Sequence, residues 1–149
     1  MANPHPSHYL DIGVLGEDLV TQWLQSNGWI ILHRRWRCRW GEIDIIAQHN
    51  SPTPTLAFVE VKTRSRGNWD AGGRNAITPK KQAKLWRTAE VFLAKYPYKA
   101  NYPCQFDVAL VNVEAKKSPV IMTEDAPVNS SPRYKLNLQD YIVSAFDQT

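Results

Sequence analysis

The sequence predicts an α/β domain in which a central mixed β-sheet is flanked by helices. Three observations carry that expectation. Residues 41–47 (Gly-Glu-Ile-Asp-Ile-Ile-Ala) and 56–64 (Leu-Ala-Phe-Val-Glu-Val-Lys-Thr-Arg) alternate β-branched and aromatic residues with polar ones, across a break holding Pro52 and Pro54. Amphipathic helical spacing precedes this pair at 10–27 and follows it at 79–95. A further strand-like run, Gln105-Phe-Asp-Val-Ala-Leu-Val, lies beyond the second helix. Together with an extended stretch at 29–40, the order is helix, strand, strand, strand, helix, strand, which suits a sheet covered by helices.

A chain of 149 residues is the size of one domain, 1–149, with no second core expected. No apolar run approaches the roughly 20 residues that span a bilayer, and the first residues lack a signal-peptide pattern. The expectation is a cytoplasmic protein with no membrane partner. Cys38 and Cys104 lack metal or redox spacing, and no two of the four histidines form a ligand set.

Charge is informative by region. Residues 30–100 hold 14 Lys or Arg against 5 Asp or Glu, a balance of +9, whereas the flanks hold 4 against 9, a balance of −5. A basic segment attracts polyanions and gains from counterion release on contact, so a nucleic acid is the expected partner. A solvated basic face is the alternative.

Taken in order, residues 1–8 form a loose tail. In the first helix, Ile12, Leu15, Leu19, Val20, Trp23 and Leu24 fall at helical spacing, and Asn27-Gly28 ends it through the conformational freedom of glycine. Residues 29–40 read as one extended stretch, with Ile30, Leu32, Arg34, Trp36, Cys38 and Trp40 on one side and Arg35, Arg37 and Arg39 on the other. Arginines match phosphates bidentately and interleaved tryptophans stack on bases. The competing reading buries the tryptophans and leaves the arginines solvated.

Residues 65–78 are glycine-rich and suit a phosphate-contacting flap, without the Gly-Lys-Ser/Thr ending of a P-loop. Thr78-Pro79 supplies an N-cap and a first-position proline for a helix running to about residue 95. Its Ala83, Leu85, Trp86, Ala89, Phe92 and Leu93 should face inward, and Lys80, Lys84 and Arg87 stack on another face that suits a phosphate backbone. Residues 104–113 form a strand, 114–133 a long loop or added hairpin, and 135–146 a closing short helix.

The chemistry concentrates at 41–64. Period-two geometry puts Glu60 and Lys62 on one strand face and Asp44 on the corresponding face of its neighbour. If the strands pair as a hairpin, all three converge. Two close carboxylates repel unless a proton or a cation intervenes, and an oxygen-only donor set favours Mg²⁺, with Mn²⁺ as substitute. Lys62 would stand beside the ion, where a phosphate oxygen or attacking water needs positive charge. A buried structural Glu60–Lys62 pair is the alternative.

These same runs resemble the two signature segments of the YraN-like family, placed in the PD-(D/E)XK nuclease superfamily of restriction-endonuclease-like folds. The resemblance includes Gly13-x-x-Gly16-Glu17, Phe106-Asp107-Val108 and the segment 142–146, and covers most of the chain through about residue 112. Ile43 replaces the proline that names the superfamily. The resemblance implies a metal-dependent nuclease fold, with Asp44, Glu60 and the Val61 carbonyl as ligands, Lys62 at the attacking water and Glu17 as an additional acid. Asp107 is read as structural.

The expected function is therefore a Mg²⁺-dependent nuclease acting on DNA, branched or structured DNA included. Arg35, Arg37, Arg39, Arg64, Lys80, Lys84 and Arg87 would contact the nucleic acid. Two rivals stand beside it: a non-catalytic nucleic-acid-binding module, and a protein-interaction subunit using Trp36, Trp40, Trp69 and Trp86. A homodimer stays open.

Overall fold

A computed structural model describes residues 7–65, 77–115 and 134–147. Helix α1 (Ser7–Ser26) leads into strands β1 (Ile30–Cys38), β2 (Gly41–His49) and β3 (Thr55–Ser65). Helix α2 (Pro79–Lys95), a short 3₁₀ turn (Pro97–Lys99), β4 (Cys104–Ala115) and β5 (Tyr134–Ile142) follow. The five strands form one sheet in sequence order, antiparallel except for β3 against β4, which α2 connects as the crossover. The α/β mixed sheet flanked by helices is the architecture that the sequence predicts. No helix among the described residues is long and apolar enough to cross a membrane.

The local signals act as read. Gly28, at φ 89°, lets Trp29 N–H reach Leu24 C=O at 3.0 Å and its own N–H reach Gln25 C=O at 3.1 Å, the paired bonds of a Schellman cap on α1. Thr78 Oγ1 accepts from Lys81 N–H at 3.2 Å, capping α2 behind Pro79. Helix α1 packs Val20 and Leu24 on Ile45, Ala47, Ala57, Val59, Ala109 and Val111. On the opposite face α2 packs Leu85, Ala89 and Phe92 on Ile46, Leu56, Phe58, Phe106, Val108 and Leu110. Residues 56–60 of β3 are thus buried on both faces, as a central strand with a parallel neighbour must be.

Three expectations are corrected. The closing segment is not a helix, because Leu136 and Leu138 alternate with exposed Lys135, Asn137 and Gln139 at the period of a strand, which pairs with β4. In α2, Ala83 is exposed and Thr88 buried, since the inward row runs Leu85, Thr88/Ala89, Phe92. In β1 the two-sided arrangement breaks: a bulge falls between Ile31 and His33, and Arg35 adopts φ 54°. Arg34 and Arg35 consequently both reach α1, while Trp36 packs against Phe92. Of the expected tail (1–8), glycine-rich flap (65–78) and insertion (114–133), residues 1–6, 66–76 with Trp69, and 116–133 lie outside the described residues, whereas Ser7 and His8 belong to α1 and Glu114 and Ala115 to β4.

Asp107 is fully buried and its carboxylate is saturated by neutral donors: Tyr141 Oη at 2.6 Å, Ser144 N–H at 2.9 Å and Gln105 Nε2 at 3.0 Å. It ties β5 and the following turn to β4, and Phe146 stacks on Phe106 at 4.9 Å. Asp107→Asn should cost about 1–3 kcal/mol, because its amide nitrogen would face donors and leave one of them unsatisfied. Chemical denaturation of the variant, with an unchanged m-value, checks this.

Candidate active site

Pairing between β2 and β3 begins at Ile45↔Val59 and runs away from Asp44, so the two strands part at the acidic residues. The parting leaves the Val61 N–H without a strand partner in β2, and Asp44 Oδ2 accepts it at 2.8 Å. That bond holds Asp44 beside Glu60. Glu60 lies on the α2 side of β3, 8% exposed, with Oε1 3.8 Å from Lys81 Nζ and Oε2 buried with no hydrogen-bond partner.

The electrostatics follow from this crowding. Burial first, and the Asp44 charge second, push the Glu60 carboxyl up to about 8. Lys62 is displaced downward, by burial first and by the neighbouring Lys81 ammonium next, against the opposing pull of Glu60 and Asp44. The structure thus brings together Asp44, Glu60 and Lys62, as the period-two reading requires, and adds Lys81 from α2. Lys81 lies off the row Lys80, Lys84 and Arg87 that helical spacing singles out as basic. The available signal was its helical row with Leu85 and Thr88, which faces the sheet.

The profile of one family matches residues 16–111, spanning the second half of α1, the Asp44–Glu60 cluster, α2 and most of β4. A UPF0102 protein of Nostoc sp. is 60% identical over 141 residues, covering 93% of this chain and 96% of that relative. One from Trichormus variabilis is 58% identical over 145 residues, covering 93% and 96%, and one from Acaryochloris marina 49% over 166 residues, covering 97% and 96%. The chain belongs to the uncharacterised protein family UPF0102. UPF0102 is the YraN-like family of the PD-(D/E)XK-like nuclease superfamily, the kinship that the two signature strands suggested.

Within this UPF0102 chain, Glu17 pairs with two arginines of β1. Its carboxylate, 8% exposed, is held by Arg35 Nε at 3.2 Å and Arg34 Nη2 at 3.5 Å, while Arg34 also pairs with Asp18 at 2.8 Å. Arg35 in turn feels the charges of Glu42 and Asp44, so Glu17 orients a cation at the edge of the cluster. Gly16 makes this possible: a Cβ there would lie 2.3 Å from Thr63 Oγ1, so only glycine lets α1 sit this close to β3.

The basic residues divide. Arg35 and Arg37 are engaged by Glu17 and by Glu42 (2.9 Å). Arg64 is exposed at the end of β3, and Lys80, Lys84 and Arg87 are exposed along α2. Arg39 lies over the Trp40 ring. Among the described residues no group of three or more His, Cys, Asp and Glu gathers to hold a metal. Two carboxylates, one with an unpartnered buried oxygen, nevertheless fit a hard cation such as Mg²⁺, which takes one or two protein carboxylates and leaves its other positions to water and phosphate.

Proposed function

We propose that this chain is a Mg²⁺-dependent nuclease that hydrolyses phosphodiester bonds in DNA, with Asp44 and Glu60 holding the cation. The observation that carries the reading is Glu60 itself. Two carboxyl groups set this close, with a buried oxygen on Glu60, are costly unless a proton or a cation lies between them, and the cation is the occupant that leaves both ionised.

When bound, Mg²⁺ supplies polarisation of a phosphate and activation of water at neutral pH. The chain's own residues do the remainder. The Val61 N–H fixes the orientation of Asp44, and the Val61 carbonyl is the third protein oxygen in this reading. Lys62 and Lys81 present positive charge where a phosphate would accumulate negative charge during in-line attack. Mn²⁺ should substitute, having the same preference for oxygen donors. Arg35, positioned by Glu17, and the exposed lysines of α2 supply attraction for the polyanion.

Incubation with single-stranded, duplex, flapped and four-way-junction DNA in Mg²⁺, Mn²⁺ or EDTA tests the proposal. Metal-dependent products from at least one substrate are expected. Binding without cleavage across the whole panel would overturn it in favour of a non-catalytic nucleic-acid-binding module.

A further inference from the structure

The two-residue turn between β1 and β2 carries Arg39 and Trp40, and Trp40 is 39% exposed although it is large and apolar. Its backbone N–H donates to Cys38 Sγ at 3.4 Å, and a Cβ on Gly41 would lie 3.3 Å from Thr88 Oγ1, so the turn sits tightly against α2. Two guanidinium groups from different elements converge on this one ring. Arg39 lies 4.9 Å from its centroid and Arg87, from α2, lies 4.8 Å from it. The aromatic quadrupole attracts each cation, while the two like charges repel one another. An anion bound by both forks relieves that repulsion, and a phosphate matches guanidinium geometry bidentately.

The same helix connects this pair to the acidic cluster. Lys81 stands at Glu60, Lys84 is exposed one turn further on, and Arg87 is exposed at Trp40. At 1.5 Å of rise per residue, Lys81 and Arg87 are separated by about 9 Å along the helix axis. Each strand of a duplex advances about 3.4 Å per nucleotide along the duplex axis, so with α2 parallel to that axis the interval corresponds to about three nucleotides.

We propose that α2 and the β1–β2 turn form a track for one DNA strand leaving the Asp44–Glu60 cluster, ending in a phosphate clamp made by Arg39 and Arg87 on Trp40. The track, unlike the clamp at its end, rests on reading the cluster as a phosphodiester site. Trp40 is its positioning residue: it holds the two guanidinium groups together and leaves the charge to them.

Fluorescence polarisation of labelled duplex DNA in EDTA, over a series of salt concentrations, reads the clamp without any cleavage. Loss of the one clamped phosphate in the Arg39→Ala/Arg87→Ala protein should make the slope of log K against log salt shallower by roughly 0.9. Affinity at low salt should fall about tenfold or more. Trp40→Ala should reproduce most of the loss and Trp40→Phe should restore it, since phenylalanine keeps a ring for the cations. Arg39 and Arg87 are both exposed, so the double variant should melt with the parent protein. An unchanged salt slope in the double variant would overturn the clamp. Should the slope fall while the parent cleaves none of the DNA panel, the clamp stands and the nuclease reading fails. With strands ending fewer than about three nucleotides from the cut, parent and double variant should cleave at converging rates.

Discussion

Asp44→Asn, Glu60→Gln and Lys62→Ala are each expected to lower Mg²⁺-dependent cleavage at least about 10²-fold while leaving DNA binding in EDTA near that of the parent protein. The two carboxylate changes remove the negative charge that would hold the cation. The lysine change removes a positive charge beside the phosphate. None of the three belongs to the exposed basic surface, so affinity and rate should separate. Initial rates at saturating Mg²⁺, measured beside polarisation titrations, give both quantities. Parent-like rates in Asp44→Asn or Glu60→Gln would remove the metal assignment, and parallel losses of rate and affinity would make the cluster a binding feature.

The stability of the metal-free protein is expected to fall as pH rises from about 4.5 to about 8, and Glu60 sets both limits. Its carboxyl is raised from the ordinary 4.5 to about 8 in the folded state. Between those values the unfolded chain has released the proton and the folded chain still holds it. With fewer protons bound in the unfolded state, stability declines with pH, is fully present below 4.5, and is lost by about pH 8. At about 1.4 kcal/mol per unit, the contribution at stake is on the order of 5 kcal/mol. Glu60→Gln should remove this decline and be more stable than the metal-free parent at pH 8. Mg²⁺ should stabilise the parent at pH 8 far more than at pH 5, because it binds the deprotonated carboxylate. Melting temperatures across pH 4.5–9, with and without Mg²⁺, decide the matter. If Glu60 and Lys62 were instead a structural buried pair, Glu60→Gln would lose roughly 3–5 kcal/mol, and Mg²⁺ would change nothing.

Much of this molecule follows from short-range rules. Alternation over 56–64 is enough to make β3 and to put Glu60 and Lys62 on one face, and Thr78-Pro79 is enough to start α2. The closing strand was within reach of the same rule: Leu136 and Leu138 alternate with polar neighbours, although too few residues repeat the pattern to separate it from a helix turn.

Periodicity, capping and signature residues are local properties, so α1, the first four strands, α2, the shared face of Glu60 and Lys62 and the kinship with UPF0102 are legible in the sequence, whereas β5 and the facing of β1 are not. Tertiary structure decided which charges meet. Asp44 reaches the Val61 N–H only because β2 and β3 part there. Lys81 reaches Glu60 because the crossover helix begins over that opening. Glu17 turns to Arg34 and Arg35 because a bulge and one left-handed residue rotate β1, while Gly16 admits α1 close to β3. Each of these contacts joins residues distant in the chain, and their energies depend on burial and separation, which spacing along a sequence does not encode.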